Sequence, residues 1–238
     1  MSKSKINARS IKENKKRIFK LDAEVMTNKA NAYLSRAMIE ENRMMILSNY
    51  SAAFLGNRQL ANSNTDEVFD NRNAILDAYK TKNDVEENYI NAQKNKASLD
   101  FLKHRSELNT ALLKVSEEMA AINAKLIDVN KKIMDANQSI VDFNAKQIAT
   151  NKDLIKGALK PQSAKPSSNA KIIKSNKSAM ASLEKNVKNN RKRMNDLVNN
   201  SEKNADALMQ NKSQIKQRRK TAFANREKIM ANKSLIKF

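Results

Sequence analysis

The chain has no cysteine and no tryptophan, and only two glycines and two prolines in 238 residues. Without cysteine there is neither a disulfide framework nor a thiolate metal site. With so little Gly and Pro there are few turns, and a compact globule of this length needs many. Aromatic residues make up 5% of the chain, which leaves little bulk for a large core. Long apolar runs are also missing: Met44–Leu47 and Ala52–Leu55 are far too short to span a bilayer. The basic N-terminus lacks the apolar stretch of a secretory signal, so the cytoplasm is the favoured compartment and an extracellular appendage the alternative. What remains is Lys, Asn, Ala, Ser, Ile, Leu and Met, the composition of long helix.

Catalytic groups are as scarce. His104 is the single histidine, with no cysteine or second histidine to share a metal. The two glycines, Gly56 and Gly157, cannot build a phosphate-binding loop. Carboxylate pairs such as Glu86/Glu87 and Glu117/Glu118 are neighbours along one helix and do not face each other. The sequence therefore predicts no enzyme, no cofactor, no metal and no small-molecule substrate.

The positive signal is a period of seven. Between Met119 and Lys156, asparagine falls at 123, 130, 137, 144 and 151. Three residues before the last four stand Ile127, Met134, Val141 and Ile148. Seven residues are close to two helical turns, so both rows follow one face. Written as a heptad, the apolar row is a and the asparagine row is d, with Leu126, Ile133 and Ile140 flanking at g. This is a coiled-coil seam with an amide in nearly every second layer. Ile127, Asn130, Met134, Asn137, Val141, Asn144, Ile148 and Asn151 are its predicted assembly residues. A rival seam, Leu126/Val129/Ile133/Ala136/Ile140/Phe143, would place the asparagines beside the contact instead of in it.

The same unit runs through the whole chain. From the start, a reads Ile11, Ile18, Val25, Ala32, Ile39 and Ile46, and d reads Asn14, Leu21, Asn28, Ser35, Asn42 and Asn49. Near Gly56 the phase advances by one residue, to Asn57, Asn64 and Asn71. The run Ser63-Asn64-Thr65-Asp66 carries helix-capping residues, which predicts a kink or short linker at 57–65. Between 85 and 88 a three-residue offset reads as a stammer that leaves the helix unbroken. The only two prolines lie in 157–168, a linker or hairpin. Beyond it the a row resumes as Ile173, Met180, Val187, Met194, Ser201, Leu208, Ile215, Ala222, Ile229 and Ile236, and Asn176, Asn190, Asn204 and Asn211 fall in the d row.

The predicted fold class is thus all-α: extended coiled-coil helices bearing an asparagine ladder, with no globular domain. Its segments are an N-terminal helix 1–56, the linker 57–65, a central helix 66–156, the linker 157–168 and a basic C-terminal helix 169–238.

Charge divides unevenly. The total of +21 splits into +6 over residues 1–50, zero over 51–159 and +15 over 160–238. Arg191-Lys192-Arg193 and Arg218-Arg219-Lys220 are the candidate contacts to nucleic acid or another polyanion. No aromatic residues interleave with them to stack bases, so such binding would ignore sequence.

The a/d unit resembles the stalk segments of trimeric adhesins, over the repeat unit alone. That resemblance implies asparagines pointing inward around an anion. In size and helicity the chain also resembles filament-forming hairpin proteins that remodel membranes. The leading expectation is a non-enzymatic structural protein that self-assembles into rods or filaments. The alternatives are a polyanion-binding protein acting through the basic tail and a membrane-surface helical scaffold.

Overall fold

The computed structural model describes residues 2–236 of the chain, and every regular element among them is helical. Helix α1 covers Lys3–Ser51 and begins at Ser2, whose Oγ accepts from the Lys5 N–H at 3.4 Å. It passes through a π-helical turn, Ala52–Asn57, into α2, Arg58–Asp77. Helix α3 covers Asp84–Ile155 and α4 covers Pro166–Leu235, with a 3-10 turn at Pro161–Ser163 between them. Among the described residues no helix is long and apolar enough to cross a membrane.

Of the kink or short linker expected at 57–65, no linker forms: the backbone stays helical through these residues. The single extra residue that shifts the heptad is taken up by the π-helical turn, which fits one more residue into the same length of helix. The side chains that resemble a cap serve the helix itself: Thr65 Oγ1 donates back to the Ala61 carbonyl at 2.9 Å. Stacking of Tyr50 on Phe54 at 5.2 Å and the Arg58 guanidinium 4.6 Å from the Phe54 ring brace the widened turn.

A break does occur at 78–83, inside the span expected to be one helix from 66 to 156. There the sequence carries a capping box. Asn83 Oδ1 accepts from the Glu86 N–H at 3.0 Å, and Glu86 Oε2 reaches back to the Lys82 N–H at 2.7 Å. Asp84, Glu86 and Glu87 then place three carboxylates against the positive end of the helix.

Helix α3 ends on Gly157, whose φ of +83° only glycine adopts without strain. The Ala158 N–H donates to the Asp153 carbonyl and the Gly157 N–H to the Leu154 carbonyl, a Schellman closure. Helix α4 starts at Pro166, where the missing N–H costs nothing. Ser168, not a residue ahead of the helix, caps it: its Oγ accepts from the Lys165 N–H at 3.1 Å.

The chain divides into two compact units. The first joins residues 2–65 with 162–230, and the second holds 66–161 with 231–236. In the second, α2 and α3 run antiparallel beside the 78–83 turn. Phe69 stacks on Phe101 at 4.4 Å, Arg105 pairs with Asp66 at 2.8 Å, and Arg72 with Asp100 at 3.7 Å. Ala97 is buried in this contact, where a small side chain lets the helices approach.

Candidate assembly interface

In the first unit α1 and α4 lie side by side and parallel, held by a row of amides. Asn14, Asn28, Asn42 and Asn49 each donate Nδ2 to the backbone carbonyl 159 residues further on, at Ile173, Val187, Ser201 and Leu208. Asn7 does the same to Pro166 at 3.0 Å. After the π-helical turn the separation becomes 158, and Asn57 and Asn64 donate to Ile215 and Ala222, both at 2.8 Å. By absorbing the extra residue, the π-helical turn keeps the two heptad patterns matched along both halves of the pair.

The chemistry suits parallel helices in particular. A helical carbonyl points toward the C-terminus and already accepts one bond within its own helix. Its second lone pair remains free to take another donor. Helical side chains lean toward the N-terminus, so in a parallel neighbour the amide meets that lone pair head-on. Buried bonds such as Asn42 to Ser201, at 2.8 Å, satisfy an amide that would otherwise be costly, with a net gain of about 1 kcal/mol each. Two layers lack the amide: the same separation sets Leu21 opposite Met180 and Ser35 opposite Met194, all four buried. Ser35 instead donates to Asn31 of its own helix at 2.9 Å.

At the edge of the pair Arg17 Nη2 meets Glu184 Oε2 at 3.1 Å. The positive charge of Lys188 and the hydrogen bond from Arg17 hold the Glu184 carboxyl below the usual carboxylate range. Arg191 Nε donates to Asn28 Oδ1 at 3.2 Å, so this arginine completes the amide's hydrogen bonding. Of the candidate polyanion contacts, Arg191 is thereby committed to the helix pair. Lys192, Arg193, Arg218, Arg219 and Lys220 are exposed, and Arg219 lies 5.7 Å from the Phe223 ring.

The pairing uses one face of each helix. On α1 the d row and its g neighbours are covered, while the a row Ile11, Ile18, Val25, Ala32, Ile39 and Ile46 is exposed. On α4 the a row is covered, while Asn176, Asn190, Asn204 and Asn211 of the d row are exposed. The eight predicted seam residues all lie on α3, and none is brought against another segment. Ile127, Met134, Val141 and Ile148 are between 58% and 70% exposed, and Asn130, Asn137, Asn144 and Asn151 are exposed as well.

The sequence places the asparagines in a recurring row, and the resemblance to adhesin stalks implied that they point inward around an anion. In α1 they meet backbone instead, a target that no side-chain pattern announces. The matching rows of α1 and α4, with Asn14-Leu21-Asn28 repeated as Asn176-Leu183-Asn190, were the available sign that the two segments pair. Among the described residues no group of histidine, cysteine or carboxylate side chains is placed to hold a metal. Comparison with protein-family models, curated proteins and solved structures finds no match.

Proposed function

We propose that the chain is a non-enzymatic structural protein, an extended coiled coil that self-assembles into rods or filaments, with its asparagine ladder setting the register. The observation that carries this reading is α3. From residue 120 to 155 every side chain is exposed, including a row of aliphatic side chains at strict seven-residue spacing. Covering each such side chain contributes about 1–2 kcal/mol, so a row of them favours a neighbour. The bonding between α1 and α4 supplies the chemistry by which the asparagines would choose that neighbour. Negative-stain imaging of the purified protein alone, at physiological salt, tests the proposal. Rods or filaments of uniform width are expected. Assemblies that form only when DNA or anionic vesicles are added would transfer the function to the basic tail.

A further inference from the structure

Resting on that reading, the geometry points to a specific contact: we infer that α3 pairs in parallel and in register with α3 of a second copy. The asparagine face of one helix would lie on the aliphatic face of the next. Asn130, Asn137, Asn144 and Asn151 would donate Nδ2 to the backbone carbonyls of Ile127, Met134, Val141 and Ile148 of the second copy.

Three observations carry this. The first is the pairing rule already present in the molecule. In the first unit a d-row asparagine donates to the carbonyl of the a-row residue that precedes it by three in the partner's matching heptad. Helix α3 has both halves of this contact, donors and acceptors, in four consecutive heptads, and both are exposed. The second is polarity. The lean of side chains and the direction of carbonyls bring amide to lone pair in a parallel pair and separate them in an antiparallel one. One segment that answers α3 in parallel and in the same phase, with both rows exposed, is α3 of a second copy.

The third is charge. In the first unit Arg17, at g, meets Glu184, at e of the following heptad. Applied to α3, the rule sets Leu126, Ile133, Ile140 and Gln147 of one copy beside Lys131, Gln138, Ala145 and Lys152 of the next, with no like charges opposed. The uncovered rows of α1 and α4 are a weaker site, because the rule there brings Arg193 against Arg36 of a second copy.

The two faces of α3 are centred roughly 100° apart around the helix, so one neighbour does not cover both. Such a contact is heterologous. Each copy takes one neighbour on each side, and the assembly passes beyond the dimer.

The absence of native cysteine makes the register directly measurable. In the full chain, Ile133→Cys and Gln138→Cys together place one thiol on each side of the contact. Within one helix these positions are about 8.7 Å apart, beyond disulfide reach. Mild oxidation followed by a non-reducing gel should give a ladder extending past the dimer. Neither single variant should form more than traces of dimer. Ile140→Cys with Ala145→Cys, one heptad on, should repeat the result, and circular dichroism of each variant confirms that the helix content is kept. Dimer from Ile133→Cys alone means an antiparallel contact and overturns the inference. So does a parent that assembles while neither double variant cross-links; self-assembly would then stand with another interface. A parent that remains a single chain in sedimentation overturns self-assembly itself.

Discussion

At the scale of the residue, asparagine is the unusual choice. Leu21 shows that an aliphatic side chain fits the same row, buried within the same helix pair. The amides at 28, 42 and 49, with bonds of 2.8–2.9 Å, add direction instead of bulk. They are satisfied only when a carbonyl of a parallel neighbour stands at the matching height. A slip of one residue would leave each as an unpaired buried amide, costing about 1–3 kcal/mol per layer. Strength and specificity therefore separate, and the substitution that exposes the difference is to leucine. Changing Asn130, Asn137 and Asn144 of α3 to Leu should raise the melting temperature of the assembled protein and release its register, giving mixed sizes or disordered aggregates. Thermal melting and imaging of the triple variant check this. A variant no more stable than its parent, with unchanged width and repeat, would mean that these asparagines face solvent.

At the scale of the element, what could be read beforehand depended on how local the cause was. The long helices follow from the scarcity of Gly and Pro, and the end of α3 from Gly157. The phase advance near Gly56 was legible as a number, but its form was not. A one-residue excess can be met by a break, a kink or a widened turn. The choice was made by α4, whose uninterrupted heptad lies alongside. The break at 78–83 was missed for the opposite reason: Asn83-Asp84-Val85-Glu86 is a local signal that the heptad count obscured. In α1 the asparagine row was legible as a pattern, whereas the target of its amides was not, since a backbone carbonyl leaves no trace in side-chain spacing. The account of the π-helical turn has a direct consequence. Deleting Gly56 restores a seven-residue step from Asn49 to the next asparagine and removes a poor helix former. Chemical denaturation should show stability raised by about 1 kcal/mol, and a hydrogen-bond separation restored to one value along the pair. Loss of stability would mean that the widened turn is required for packing, for instance by the Tyr50, Phe54 and Arg58 stack.

At the scale of the whole molecule, the two units spend the same heptad differently. Residues 2–65 and 162–230 bury one donor row against one acceptor row, and most of α3 in the other unit buries neither. A single chain thus satisfies part of its pattern and displays the remainder, which is the condition for adding further copies. On the proposed reading, a net charge of +21 slows chance contact between copies, and matched rows would have to drive assembly. The most direct test is sedimentation velocity of the full chain at physiological salt over rising concentration. The account predicts that species several times heavier than the 26.9 kDa chain appear and grow with concentration. A single boundary at the mass of one chain, unchanged up to roughly 100 μM, a concentration at which even an interaction of about −6 kcal/mol is detected, would contradict it.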